Sequence, residues 1–166
     1  MTIWNEITQS IKTPDDTLEL GAGHNASDDC VSQDIRSLPG INDVFDITEI
    51  PWPYDDNSFR SIRALDIFEH IPLKSTMDDR DPLIRVMEEC FRVLQQNGHL
   101  ALKFPIPNQK HDRGDLTHYR QIEPRQFVDF DPNRGRWGKS FTTSARFTIK
   151  QKEQSGHNWI VLLQAQ

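Results

Sequence analysis

Thr17-Leu18-Glu19-Leu20-Gly21-Ala22-Gly23 is the stretch on which the reading of this chain turns. A short apolar-rich run stops at two glycines with one small residue between them. Such an ending predicts a strand followed by a sharp turn, whose backbone a ligand can approach closely. Working outward, strand-like runs recur at 31–35, 43–47, 61–66, 99–104, 146–150 and 158–163. Gly, Pro or Asn-Gly bound several of them, as they do strands. Between them, Leu83, Val86, Met87, Cys90, Phe91 and Leu94 fall on one face of a helical repeat. That spacing predicts a helix over 82–96, with Asp81 as its cap, Pro82 in its first turn and Asn97-Gly98 as its exit. Arg85, Glu88, Glu89, Arg92, Gln95 and Gln96 would form its wet face, and Cys90 would be a buried thiol. Weaker helical signals lie at Ile3, Ile7 and Ile11, at 66–70, and from Pro124 through Phe127 and Phe130. Strands alternating with helices predict an α/β sheet.

The crossovers are short. Only residues 21–30 separate the first two strand candidates, and fewer separate the second from the third. Parallel crossovers usually take about 10–12 residues or more. If these strands are parallel, they are joined by loops with at most one helical turn. One sheet face then lacks helices, and the N-terminal helix or a second copy of the chain, as a homodimer, would have to cover it.

The chain has 166 residues, which suits a single domain spanning 1–166. Ile, Leu, Val and Phe make up 42 of them, enough apolar content to argue against disorder. Two cysteines make no disulfide scaffold. The longest apolar run, Trp159 to Leu163, is too short to span a bilayer. The first ten residues lack the basic and apolar regions of a secretory leader, so a cytoplasmic location is expected. The net charge of -6 hides a split. Residues 1–100 carry 19 acidic and 8 basic side chains; residues 101–166 carry 6 and 11.

Acidic residues follow the glycine turn in a suggestive order. Asp34, next to Ile35, closes the second strand candidate 13 residues after Gly21, where a carboxylate can accept both hydroxyls of a ribose. Asp46, next to Ile47, closes the third. Each alone is an ordinary turn residue. In order, they point to a nucleoside-bearing cofactor at the carboxyl edge of a sheet. The third glycine of the dinucleotide pattern is absent.

The segment from Leu18 to Gly23 resembles the first motif of class I S-adenosylmethionine-dependent methyltransferases, and the likeness continues down the chain. Val44-Phe45-Asp46-Ile47, then Ile50-Pro51-Trp52-Pro53-Tyr54-Asp55-Asp56-Asn57-Ser58-Phe59, resembles a segment that follows in that family. Ala64-Leu65-Asp66-Ile67-Phe68-Glu69-His70-Ile71 resembles its Leu-Glu-His-Ile segment. The stretch from Glu89 to Leu100 resembles its Arg-Val-Leu-Lys-Pro-Gly-Gly segment. Asp115-Leu116-Thr117-His118-Tyr119-Arg120 resembles an Asp-Pro-Thr-His stretch of small members. The resemblance implies a Rossmann-like sheet, mostly parallel, with an antiparallel strand near the C-terminus; the short crossovers add that helices are reduced on one face. It implies S-adenosylmethionine as cofactor and S-adenosylhomocysteine as product. Gly21, Ala22 and Gly23 would form the turn under the methionine portion, with Glu19 beside it. Asp34 and Ile35 would hold the ribose, Asp46 and Ile47 the adenine, and Leu65 would lie beside the cofactor. His24-Asn25 departs from the glycine-rich loop end, Arg60 stands where an acidic residue is usual, and Gln96-Asn97 replaces Pro-Gly.

Methyl transfer from a sulfonium is an in-line displacement, so the protein mainly aligns two reactants; a base helps where the acceptor loses a proton. Asp66, His70 and His118 are the candidates, with Glu69 behind them. His111, Asp112, Asp115 and His118 match no metal-ligand spacing, so no metal is expected. The acceptor is a small molecule or a site on a biopolymer. The basic balance of 101–166 and the stretch 134–139 favour an anion, and leave nucleic acid weakly supported. Two alternatives remain open: a cofactor-binding but inactive subunit, and an NAD-dependent oxidoreductase.

Overall fold

The computed structural model describes residues 16–74, 79–109, 112, 114–134 and 141–166. Seven strands form one sheet: β1 (Thr17–Leu20), β2 (Val31–Asp34), β3 (Asp43–Val44), β4 (Phe59–Leu65), β5 (Leu94–Pro105), β6 (Phe147–Ser155) and β7 (Asn158–Ala165). Their order is β3-β2-β1-β4-β5-β7-β6. The pairs from β3 through to β5 are parallel, and β7 runs antiparallel to both β5 and β6. Among the described residues, one α-helix, α1 (Pro82–Val93), lies between β4 and β5. The helical signals at 3–11 lie outside the described residues.

The register explains the two faces. Leu18, Ile62, Leu100 and Leu163 stand side by side across four strands, and all are fully buried. Alternation puts their neighbours Glu19, Arg63, Ala101 and Leu162 on the other face. The first face carries the main core. Val86, Met87, Cys90 and Val93 of α1 pack into it with no exposure, each contributing about 1.5–3 kcal/mol by leaving water. Burial pushes the Cys90 thiol far up, so it is an inert core residue.

The second face is polar. Thr17, Ser32, Ser61 and Arg63 are buried within a single chain. Its apolar content among the described residues is a small cluster of Ala101 and Leu162 with Ile160. Parallel sheets normally bury apolar residues on both faces. Here the β1–β2 crossover holds only a three-residue 3-10 turn, Gly23–Asn25, and 66–70 gives another at Phe68–His70. Helices are thus reduced on one side, as the short crossovers predict. No helix among the described residues is long and apolar enough to cross a membrane.

Several boundaries differ from the sequence expectation. β3 pairs over two residues, because Asp46 turns the chain by accepting from Thr48 N–H and Oγ1, both at 2.8 Å. α1 ends at Val93, because buried Leu94 is extended and pairs with Phe59. Asn97 has positive φ as expected, but inside a bulge of β5. Gly98 fits there alone: an added Cβ would lie 2.8 Å from Gln95 O and 2.9 Å from Arg60 O. Asp81 caps α1 by accepting from Leu83 N–H at 2.8 Å. The expected wet face of α1 is the largest correction. Glu89 is buried and accepts from Trp52 N–H at 2.8 Å and from Arg92 at 2.7 Å. The signal at Pro124 is a 3-10 helix, Pro124–Phe130, whose Phe127 and Phe130 are buried against Phe104 and Phe147.

Candidate functional site

The carboxyl ends of β1, β2 and β4 open on a cleft of about 550 Å³. It sits where the strand order reverses between β1 and β4, the place where open α/β sheets hold ligands. Gly21 and Gly23 make the turn at φ +65° and +60°. Every N–H of this turn is already used. Gly21 N–H donates to Gln33 Oε1 at 3.2 Å, Ala22 N–H to Gln33 O at 3.0 Å, and Gly23 N–H to Asp34 Oδ2 at 2.9 Å. The Gln33 side-chain amide also donates to Phe45 O, so one residue ties the turn after β1 to the loop after β3.

Asp34 is 4 % exposed. Burial pushes its carboxyl up, but Arg36 and the Gly23 N–H outweigh that and hold it below the usual carboxylate range. Arg36 donates to Oδ1 from its backbone N–H at 2.9 Å and from Nε at 3.0 Å. Across the cleft, the loop carrying Asp46, Ile47 and Thr48 is held from behind. Trp52 Nε1 donates to Ile47 O at 2.9 Å. Arg92 of α1 reaches Tyr54 O at 2.8 Å and Trp52 O at 3.3 Å.

Of the expected site residues, Gly21, Asp34, Ile35, Asp46, Ile47, Asp66 and His70 line this cleft together. Ala22 and Gly23 form the turn behind it. Leu65 ends β4 just short of the lining, which Asp66 and Ile67 supply. Glu19 lies elsewhere. On the polar face it pairs with Arg63 at 3.7 Å, in a cluster where Arg63 also meets Asp29 at 2.8 Å and Cys30 Sγ at 2.9 Å. Burial raises the Cys30 thiol, with the Glu19 carboxylate adding to the rise and Arg63 opposing it.

His118 belongs to a second cleft of about 590 Å³, which shares Asp66 and His70 with the first. The segment after Asp115 is fastened across it. Tyr119 N–H donates to Glu69 O at 2.9 Å, and Arg120 donates to Ile71 O at 2.8 Å, to Pro72 O and to Asp81. This brings the His70 and His118 rings edge to face, 4.8 Å between centres. Glu69 is 2 % exposed, and neither of its carboxylate oxygens has a hydrogen-bond partner. Burial pushes its carboxyl up to about 8. Glu69, His70 and His118 each offer a ligand atom within 4.8 Å of the others'. Asp66, in contrast, is tied to Lys103 Nζ.

Gln33, Arg36 and Thr48 line the first cleft, and Lys103 pairs with its Asp66, without having been singled out in the sequence; Thr117, of the Asp115–Arg120 motif, lines it too. Of the basic stretch 134–139 only Arg134 is described, and it pairs with Asp129 at 3.0 Å. His111 lies outside the described residues.

No protein-family model matches the chain, and neither does any curated protein. Solved structures do. A SAM-dependent methyltransferase from Archaeoglobus fulgidus shares 10 % identity over 96 % of this chain and 90 % of its own, with a TM-score of 0.64. One from Aquifex aeolicus shares 13 % over 98 % and 89 %, with a TM-score of 0.63. A putative methyltransferase from Haloferax volcanii, solved in complex with the Trm112 activator, shares 10 % over 94 % and 84 %, with a TM-score of 0.61. On its strand order and these likenesses, the chain has the class I S-adenosylmethionine-dependent methyltransferase fold.

Proposed function

We propose that the chain binds S-adenosylmethionine in the cleft at the β1/β4 junction and transfers its methyl group to an acceptor on the side of Asp66, His70 and His118. The wiring of the glycine turn carries this reading. A dinucleotide needs free N–H groups and a helix N-terminus for its pyrophosphate. Here all three N–H groups of the turn are spent on β2, and a three-residue 3-10 turn follows. That arrangement gives a pyrophosphate no support, whereas S-adenosylmethionine has none. Asp34 keeps what the ribose needs. A carboxylate offers about four acceptor sites, and the Arg36 side chain, which occupies some of them, is more than half exposed and free to turn aside.

The cofactor supplies a methyl group already activated on a sulfonium. The chain's own residues then hold two molecules in line. Asp34 fixes the ribose, and the Asp46–Thr48 loop, braced by Trp52 and Arg92, closes the adenine end. His70 and His118 turn toward the second cleft, where the acceptor would lie. Among the described residues that cleft is lined by the carboxyl groups of Asp66, Glu69 and Asp115, and Lys103 meets it through its pair with Asp66. The charge split favours an anionic acceptor; within this cleft, an anion would need a cation beside it.

Calorimetric titration with S-adenosylmethionine, S-adenosylhomocysteine and NAD tests the proposal. Binding of the first two and not of NAD is expected. Tight NAD binding with no response to the others would overturn it.

A further inference from the structure

We infer that Glu69, His70 and His118 form a binding site for one divalent transition-metal ion, at the wall shared by the two clefts. The hydrogen bonds determine what each group can offer. His118 Nδ1 lies 3.0 Å from Asp112 O. A carbonyl only accepts, so Nδ1 carries a proton, and in the neutral ring Nε2 is left with a lone pair, 3.8 Å from Asp115 Oδ2. His70 Nδ1 lies 3.2 Å from Thr117 O and 2.9 Å from Thr117 Oγ1. Thr117 Oγ1 spends its own proton on Asp115 Oδ1 at 2.6 Å, so it accepts from His70. His70 therefore also presents an Nε2 lone pair. An imidazole that donates its other N–H to a backbone carbonyl is the usual outer arrangement of a metal-bound histidine.

The third group is independent evidence. Glu69 is 2 % exposed and both its oxygens lack partners. A buried carboxyl group without a partner is costly, ionised or not, and nearly all buried polar side chains find one. Each of the three residues brings one ligand atom within 4.8 Å of the others', and a cation would satisfy them all. Two imidazoles and one carboxylate suit ions such as zinc, cobalt or ferrous iron better than magnesium or calcium. Three protein ligands also leave open positions, for water or an oxygen of a bound molecule. The site faces the cleft with Asp66 and Asp115 nearby, so an anionic oxygen entering there would meet a cation. While the ion is bound, neither imidazole is free to act as a base.

The site reads out independently of methyl transfer. Cobalt(II) added to the full chain is expected to bind one ion per chain and give visible d–d bands. Glu69→Gln and His118→Ala should each weaken binding at least about 100-fold, the upper end of what losing even an outer partner costs. Zinc should raise the melting temperature of the wild type and leave that of Glu69→Gln unchanged. Glu69→Gln without metal should keep about the wild-type stability, because it exchanges one unpartnered buried polar group for another of the same size. Absence of cobalt binding, or binding undiminished in both variants, would overturn the inference. Nuclear magnetic resonance of wild-type imidazoles covers the case of a variant that fails to fold: cobalt must broaden His70 and His118 and leave His99 sharp, and the reverse pattern refutes the site. Cofactor titration is a separate measurement, so either proposal can fail alone.

Discussion

Gly21→Ala tests how the first turn is built. Gly21 sits at φ +65°, and a Cβ there would lie 2.8 Å from both Cδ1 and Cγ1 of Ile67 and 3.1 Å from its Cβ. The cost has two parts. Left-handed backbone with a side chain costs about 1–2 kcal/mol. Forcing a methyl group against the stiff β-branched Ile67 adds about 1–3 kcal/mol. The total, about 2–5 kcal/mol, leaves a typical domain folded but weakened. Ile67→Ala removes the two closest atoms and leaves the backbone penalty. In that background Gly21→Ala should cost only about 1–2 kcal/mol, an interaction of about 1–3 kcal/mol between the two sites. Urea unfolding of the four proteins measures it. An equal cost of Gly21→Ala in both backgrounds would refute the clash, and a cost below about 0.5 kcal/mol in the wild type would refute the backbone strain. Because Gly21 and Ile67 both line the first cleft, the calorimetric affinity for S-adenosylmethionine should fall and recover in parallel.

Asp34→Ala is expected to weaken S-adenosylmethionine binding about 10- to 100-fold, the worth of hydrogen bonds to a charged group, while Arg36→Ala does not weaken it; both are read by calorimetry. Arg92→Met should destabilise by about 2–4 kcal/mol in urea melts, because it leaves the buried Glu89 carboxylate with only the Trp52 N–H. Gly98→Ala should cost about 2–3 kcal/mol, since both obstructing atoms are backbone oxygens that cannot yield. In acid, Glu88 is informative: burial raises its carboxyl, but Arg80, the Ser144 N–H and Thr143 outweigh burial and hold it below its usual value. A lowered value in the folded state means that the stabilisation is complete above the unfolded carboxylate range of about 4 and is lost as pH falls through the folded value. Glu88→Gln should therefore show a shallower loss of stability below about pH 4 in melts across pH.

The parts legible in the sequence rest on local rules. β1 matches its expected bounds because an apolar run meeting two glycines leaves little choice. Asp81 and Pro82 start α1 as their chemistry requires. Short crossovers correctly imply a sheet poor in helices. What stayed hidden depends on distant partners. Glu89 reads as a surface residue until Trp52, 37 positions away, turns its N–H toward it. β6 alternates Lys150, Lys152 and Glu153 along an edge, so a search for apolar runs stops too early. His118 has no nearby sequence partner that marks a ligand. Arg120 and the Glu69 carbonyl carry it to His70, 48 positions away. The resemblance puts Glu19 beside the glycine turn, but strand alternation sends its side chain to the polar face, against Arg63.

The tie between α1 and the Trp52–Tyr54 loop bears on which substitutions this chain can accept. An ordinary surface helix has one face that must pack and another on which mutations drift freely. In α1, Val86, Met87, Cys90 and Val93 fill the core. On the side that would normally vary, Glu88 holds Arg80, Thr143 and Ser144, and Glu89 and Arg92 brace the loop behind the Asp46–Thr48 side of the cleft. A deep mutational scan should therefore find α1 intolerant nearly all the way round. Selection for cofactor binding and selection for folding should pick out many of the same positions there. With so few helices among the described residues, the one between β4 and β5 serves both the core and the cleft, and its sequence has correspondingly little room to change.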